Sequence, residues 1–160
     1  MAVDRGTQVL ETACTLLLGI GDVFSFFAAA ENLERITPPE LRFRIVSPTP
    51  IDIALGTQID YRLRLFGLPF GWRSLISRWE PPHTFVDEQV VGPYALWHHT
   101  HTFTATCDGT HVADRVLYRL PLWPLGQAVL PAVRWQLNRI FAYRQQSMRR
   151  ILLGQEMSSA

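Results

Sequence analysis

The sequence predicts an α+β protein in which a curved antiparallel sheet of about seven strands wraps around a long C-terminal helix. Apolar and polar residues alternate through the middle of the chain, and short Pro/Gly breaks separate these runs. At the C-terminal end the apolar spacing changes to three and four, which indicates an amphipathic helix. A sheet and a helix that each have one apolar face can bury both by packing together. We therefore predict one domain over residues 1–160.

The first elements predicted are a strand and two short helices. Residues 8–18 favour a strand, and the break that follows contains Asp22, a suitable helix N-cap. The Phe- and Ala-rich residues 23–30 indicate a short helix, and residues 32–36 continue as a second helical turn. Pro38 and Pro39 end that turn.

Six strands are predicted to follow from residue 41 onward. Leu41, Phe43 and Ile45 alternate with arginines, and Ile59 begins a second alternating run. The breaks between runs fall at residues 67–69, 80–83, 92–93, 108–109 and 121–124. Their regular spacing indicates antiparallel neighbours joined by short turns.

The C-terminal helix is predicted over residues 125–153, with a frayed tail over 154–160. Pro131 lies inside this range, so the helix either begins near Leu130 or kinks at the proline. The arginines of this segment are predicted to form a solvated face: Arg134, Arg139, Arg144, Arg149 and Arg150.

Composition excludes several classes of function. A net charge of +1 argues against a nucleic-acid partner. All 15 basic residues are arginine, which excludes Schiff-base chemistry on a lysine and a lysine-bearing phosphate loop. The two cysteines are too few for a disulfide scaffold, and the apolar residues 14–20 are too short to span a bilayer. We therefore expect a cytoplasmic protein with no integral membrane segment and no cofactor.

One predicted strand carries three of the five histidines. At period two, Trp97, His99, His101 and Phe103 share one face. Two imidazoles between two large aromatic side chains are more typical of a pocket wall than of a plain core.

Turn positions predict the registers around this strand. A two-residue turn at Gly92–Pro93 would place Glu88 opposite Trp97, and one at Asp108–Gly109 would place Phe103 opposite Asp114. The concave face would then hold four polar groups that need partners, because an unpaired buried polar group is costly. These groups are Glu88, His99, His101 and Asp114, among the apolar or aromatic Val86, Trp97, Phe103, Val116, Tyr118 and Leu120.

The register further upstream is less consistent. A turn at Pro81–Pro82 would put Arg73 on the concave face near Glu88. Continuing that register through a turn at Leu68–Pro69 would turn Tyr61 outward, against its apolar alternation. A β-bulge between Gly67 and Trp72 would resolve the conflict.

Several motifs of this sequence resemble those of one superfamily. Residues 23–27 and 32–39 look like the first-helix signature of the START and birch-pollen-allergen superfamily, called SRPBCC, which has the helix-grip fold. Residues 79–82, 85–89, 92–94, 97–103 and 114–118 resemble a bacterial subgroup described as ligand-binding. The resemblance implies a helix-grip domain with an internal cavity. The superfamily includes lipid carriers, hormone receptors and polyketide aromatase/cyclases.

We therefore expect this protein to bind a small hydrophobic molecule with a polar head: a lipid, a polyketide or an aromatic compound. The apolar body would lie along one set of side chains: Trp97, Phe103, Val133, Leu137 and Phe141. The polar head would meet a second set: Arg73, Glu88, His99, His101, Asp114 and Tyr118.

Two alternatives stay open at this stage. One is a polyketide cyclase or dehydratase that uses His99 or His101 as acid or base, oriented by Glu88 or Asp114. The other is a structural protein with a filled core, in which the histidines are internal struts. His99, His101 and Asp114 also suit zinc, but the constellation is loose and no cysteine supports it, so we predict no metal.

Overall fold

The computed structural model of the chain describes residues 5–154. Strands and helices follow the order that the sequence predicts, and a 3₁₀ turn precedes β2 and another precedes α3. The elements are β1 Gln8–Leu16, α1 Ile20–Ala28, α2 Asn32–Arg35, β2 Arg44–Ile45, β3 Gln58–Leu65, β4 Leu68–Glu80, β5 Thr84–Val91, β6 Leu96–Thr106, β7 Gly109–Arg119 and α3 Leu130–Leu153. The tail predicted to fray lies outside the described residues, apart from Gly154, which caps α3 with a left-handed φ of 61°.

The strands form one antiparallel, curved sheet in the order β1-β7-β6-β5-β4-β3-β2. Among the strands of residues 5–154, only β1 departs from sequential order, because it pairs with β7 over its whole length. The α+β helix-grip architecture predicted from the sequence is confirmed. The strand predicted from residue 41 is short, since only Arg44 and Ile45 pair with β3.

Local sequence features explain where α1 and α3 begin. Gly19, rather than Asp22, is the N-cap of α1, and Asp22 lies in the first turn, where a carboxylate favours the positive end of the helix dipole. Helix α3 begins at Leu130, with Pro131 in its first turn, where a missing N–H leaves no hydrogen bond unmade. The helix therefore needs no kink at the proline.

Helix α3 packs its apolar stripe against the sheet in two clusters. Met148 belongs to a cluster with Phe24, Phe27, Phe85 and Phe103 near α1. Nearer the start of the helix, a second cluster joins α3 to β7; it contains Val133, Leu137, Phe141, Val116 and Tyr118. The histidine pair of β6 lies between the two clusters: His101 stacks on Phe85, while His99 contacts Phe141 edge-on.

The β6–β7 hairpin differs from the predicted one by two residues. Thr106 pairs with Gly109, so His101 lies opposite Asp114, and Asp114 is not opposite Phe103. Gly109 is in the strand rather than the turn. Its φ is 149°, and a Cβ there would lie 2.1 Å from the carbonyl oxygen of Leu16 in β1. This glycine thus permits close approach of β1 to the hairpin.

The β5–β6 connection corrects the predicted position of Glu88. The loop is longer than two residues, since β5 ends at Val91 and β6 begins at Leu96. The Gln89 side chain spans it with hydrogen bonds to the backbone N and O of Tyr94 at 3.1 and 2.7 Å. Asp87 therefore lies opposite His99, and Glu88 lies opposite His98. A one-residue slip exchanges the two faces of a strand, so Asp87 takes the concave position that was predicted for Glu88.

The predicted concave position of Arg73 is also wrong. The β3–β4 turn is Phe66–Gly67, with φ values of 51° and 78°, so that Tyr61 points inward as its alternation requires. The bulge predicted before Trp72 lies further along β4, where the register shifts at Arg73/Ser74 and again at Ile76/Arg78. Arg73 faces solvent and pairs with Asp60 at 2.7 Å.

Candidate functional site

A cavity of about 170 Å³ lies between α3, the first two helices and the concave face of the sheet. Its walls are mostly apolar, and its polar groups include two histidines, Asp87, Tyr61, Ser74 and Arg144. The lining residues include Phe26, Phe27, Leu33, Ile36, Leu41, Phe43, Ile53, Ile59, Leu63, Leu65, Trp72, Ile76, Phe85, Tyr94, Trp97, His99, His101, Leu137, Ile140 and Phe141.

Four charged or titratable side chains form a closed ring beside this cavity, which we call the Asp–His ring: Asp87, His99, His101 and Asp114. Asp114 Oδ1 lies 2.9 Å from His99 Nε2, and Asp87 Oδ2 lies 2.7 Å from His101 Nε2. The ring closes through longer contacts, 3.5 Å from His99 Nδ1 to Asp87 Oδ2 and 3.1 Å from His101 Nδ1 to Asp114 Oδ1. The last contact is within ion-pair range but too poorly directed to be a hydrogen bond.

Burial and mutual contact shift the pKa values of the two imidazoles in opposite directions. Burial lowers the pKa of His99, and the charge of His101 lowers it further. Burial also disfavours the His101 cation, but contacts with Asp114 and Asp87 outweigh it and raise the pKa of His101. The imidazolium charge is therefore assigned to His101, with its ring stacked 4.0 Å from that of Phe85 between ring centroids.

Both carboxylates of the ring remain ionised. Burial would raise the pKa of Asp114, but the charge of Arg144, the close contact with His101 and the hydrogen bond with His99 hold it well below its ordinary value. Burial would raise the pKa of Asp87, but its interactions with the two imidazoles, including the hydrogen bond from His101, and with Arg144 outweigh burial and lower it. Neutral His99 then donates from Nε2 to Asp114, since an ionised carboxylate can only accept.

Arg144 is one of the cavity residues that are absent from the predicted site. Its guanidinium carbon lies 5.3 Å from the ring centroid of Phe27 and 5.9 Å from that of Phe141. Its Nε and Nη2 atoms are buried and have no hydrogen-bond partner. The signal was present in the helix periodicity, because Arg144 falls on the buried stripe between Phe141 and Met148. The interpretation of all five helix arginines as a solvated face is wrong for this one.

A second polar group lies across the cavity on β3 and β4. Trp72 Nε1 donates to Ser74 Oγ at 3.1 Å. Burial raises the pKa of the neighbouring Tyr61, and the charge of Asp87 raises it further. The same serine favours the ionised form of Tyr61 and lowers the pKa of that phenol, but burial and Asp87 outweigh this effect, so the phenol stays protonated. Tyr61, Ser74 and Asp87 were not among the predicted site residues because the strand registers placed them elsewhere.

The structure brings together most, but not all, of the predicted site residues. Those that line the cavity are Trp97, His99, His101, Leu137 and Phe141. Asp114 lies behind the histidines, and three others are buried in the adjoining clusters: Phe103, Tyr118 and Val133. Arg73 and Glu88 lie outside, Arg73 with Asp60 and Glu88 with His98, whose Nδ1 is 2.8 Å from the carboxylate.

The ring includes groups that could hold a metal ion. One ligand atom from each of Asp87, His99 and His101 can be chosen so that all three lie within 4.8 Å of one another. Two imidazoles and one carboxylate suit zinc or iron. Each of these side chains already has a hydrogen-bond partner within the Asp–His ring, so the geometry does not require a metal ion.

Solved structures define the class of fold to which this architecture belongs. The protein TTHA0849 from Thermus thermophilus superposes with a TM-score of 0.73 at 14% identity, over 93% of this chain and 100% of that one. A START superfamily protein from Mycobacterium smegmatis gives 0.66 at 10% identity, over 88% and 93%. The di-domain ARO/CYC StfQ of the steffimycin biosynthetic pathway gives 0.65 at 17% identity, over 89% and 48%. The fold is that of the START-like SRPBCC superfamily.

Within that fold, the chain belongs to the family described as "Domain of unknown function (DUF8410)", whose model matches residues 37–152. A search of curated proteins found no match. No helix within residues 5–154 is long and apolar enough to cross a membrane.

Proposed function

We propose that this protein binds a small hydrophobic molecule, with a polar head, in the cavity between the sheet and α3. One observation carries the proposal: a cavity of about 170 Å³ has apolar walls and a few polar groups gathered around Asp87, the two histidines and Arg144. Ligand sites in proteins have this composition, with apolar walls for affinity and few polar groups for orientation.

The cavity volume limits the size of the ligand. An apolar cavity of about 150 Å³ in a protein core can hold benzene. A cavity of about 170 Å³ therefore suits a single aromatic ring or a short acyl chain without rearrangement of its walls. A larger lipid or polyketide would require α3 or the segment between β2 and β3 to move.

The solved relatives support the proposal only through their fold. One is named as a START superfamily protein and another as an ARO/CYC of a biosynthetic pathway. At 10% and 17% identity, neither identifies a ligand for this chain. The cavity also argues against the alternative of a filled core.

The test is native mass spectrometry of the purified protein, followed by extraction under denaturing conditions and thermal-shift measurements with small aromatic and acyl compounds. Ile76→Trp fills the cavity from β4, whereas Leu75→Trp adds the same ring to the opposite face and is the matched control. We expect retention or thermal stabilisation with wild type and Leu75→Trp and its loss in Ile76→Trp. Equal stabilisation of both variants would contradict binding in this cavity.

Acid–base catalysis is a second candidate, favoured by the different charge states of the two imidazoles. A neutral His99 and a cationic His101 lie 3.8 Å apart between ring centroids, which gives one base and one acid at the same wall. A cyclase or dehydratase of polyketide-like substrates would use such a pair. Turnover that disappears in His99→Asn while ligand binding persists would support it; binding without turnover of any carbonyl-bearing ligand would contradict it.

A further inference from the structure

One edge of the Arg144 guanidinium stands out among the buried polar groups. Nε and Nη2 carry the two parallel N–H bonds with which arginine grips a carboxylate, and here both are buried without a partner. A buried charged donor left unpaired is strongly destabilising. Without an acceptor, Arg144 therefore lowers the stability of the fold, which points to a ligand group that accepts hydrogen bonds from Nε and Nη2.

The same chain shows what this edge binds elsewhere. Arg73 donates from Nε and Nη2 to the two oxygens of Asp60 at 2.7 and 3.2 Å. Arg78 does the same to Glu80 at 2.8 and 2.9 Å. Both of these pairs are at the surface, whereas the equivalent edge of Arg144 lies at the cavity wall.

We propose that the polar head of the ligand is a carboxylate, bound through two hydrogen bonds to the Nε–Nη2 edge of Arg144. This inference rests on the proposed function and adds the chemical class of the ligand: a small aromatic or short-chain carboxylic acid. The apolar body of such an acid would lie among side chains near Arg144, which include Phe27 and Phe141.

The charges around Arg144 allow an anion to enter. Arg144 influences Asp114 and Asp87 only at longer range, without a hydrogen bond to either. With both carboxylates ionised and the imidazolium charge on His101, the four charges sum to zero. A ligand carboxylate therefore meets no net negative charge, and its nearest unpaired donors are those of Arg144.

Benzoate and benzamide form a suitable probe pair, because they have the same ring and nearly the same shape but only benzoate is charged. Isothermal titration of both compounds is performed on wild type, Arg144→Gln and Arg139→Gln. Arg139 is the matched control, since it lies on the same helix but pairs with Glu40 at the surface. Benzamide binding serves as the check that the cavity of each variant is intact.

We expect wild type and Arg139→Gln to bind benzoate at least about tenfold more tightly than benzamide, and Arg144→Gln to lose that preference while its benzamide affinity is retained. Arg144→Lys should keep only part of the preference, because lysine lacks the two-pronged geometry. Full preference in either Arg144 variant would overturn the inference. Equal binding of both probes to wild type would overturn the inference and leave the proposed function standing. If neither benzoate nor benzamide binds wild type, the result counts against both the inference and the proposed function.

Discussion

Asp114 Oδ1 accepts a hydrogen bond from His99 Nε2 at 2.9 Å, and both side chains are almost completely buried. This contact joins β7 to β6 beside the cavity and fixes the orientation of the His99 ring. The carboxylate is stabilised by Arg144 and by two imidazoles, so it carries its charge inside the protein. Removal of the Asp114 carboxylate should therefore change both the stability of the protein and the charge state of the Asp–His ring.

Asp114→Asn should lower the free energy of unfolding by about 3 kcal/mol, because removal of one partner from a buried charged network leaves the others uncompensated. Urea denaturation at neutral pH measures the loss. Asp108→Asn is the control: Asp108 is exposed in the β6–β7 turn, where asparagine is equally well tolerated. If Asp114→Asn lowered the free energy of unfolding by less than about 0.5 kcal/mol, a stabilising role for the Asp–His ring would be contradicted.

Wild type should also have a steeper acid limb than Asp114→Asn. The pKa of Asp114 is lowered by folding, so its contribution is complete above the ordinary value of 3.8 and is lost as the pH falls through the folded pKa. Melting temperatures between about pH 2 and 5, on both sides of the ordinary value, check this. Parallel acid limbs for the two proteins would show that Asp114 is not held ionised by the fold.

The two buried histidines should titrate on opposite sides of their ordinary value of 6.5, His99 below it and His101 above it. The raised pKa of His101 gives stability that is present below 6.5 and is lost as the pH rises through the folded pKa. The lowered pKa of His99 acts in the opposite direction, favouring unfolding as the pH falls below 6.5. Imidazole NMR shifts, assigned with His99→Asn and His101→Asn, measure both values, and a reversed order would contradict the assigned charge state.

Neighbouring acids on β5 should respond very differently to loss of charge. Asp87→Asn removes the partner of His101 and should destabilise by about 2 kcal/mol, because the buried imidazolium loses a hydrogen bond. Glu88→Gln affects only a partly exposed pair with His98, so its effect should stay within about 0.5 kcal/mol. Thermal unfolding of the two variants compares them, and a larger loss for Glu88→Gln would favour the register predicted from the sequence.

The fold was predictable because its signals are local. The apolar period of two along the strands and the three-and-four apolar spacing of α3 can each be recognised within a few residues. A proline such as Pro131 is favoured in the first turn of a helix, which indicates where α3 begins. The β6–β7 register was wrong by two residues, but an even slip preserves the faces, so His99, His101 and Asp114 still share one side.

The site was less predictable because it depends on loop lengths and bulges. A slip of one residue between β5 and β6 put Glu88 in the place of Asp87 in the predicted site. The unpaired Ser77 forms a bulge on β4 that turns Arg73 to the surface. Arg144 was missed for another reason. Its place on the apolar stripe indicated burial, but four other helix arginines made a solvated face the simpler interpretation.

Gly109→Ala should destabilise by at least about 2 kcal/mol, since a Cβ would lie 2.1 Å from the Leu16 carbonyl oxygen and a φ of 149° is rare for alanine. Gly71→Ala on β4 is the control, because a Cβ there meets nothing within 4 Å. Chemical denaturation of both variants measures the difference. Equal stability of the two would show that β1 does not approach the hairpin this closely.

The central claim is that a small hydrophobic molecule occupies the cavity, and an NMR titration of ¹⁵N-labelled protein with toluene tests it most directly. Trp72 and Trp97 line the cavity, whereas Trp135 on α3 is 64% exposed and is the internal control. We predict saturable shifts of the Trp72 and Trp97 indole N–H signals, with the Trp135 signal unmoved. Unchanged Trp72 and Trp97 signals, or equal shifts at Trp135, would contradict the claim.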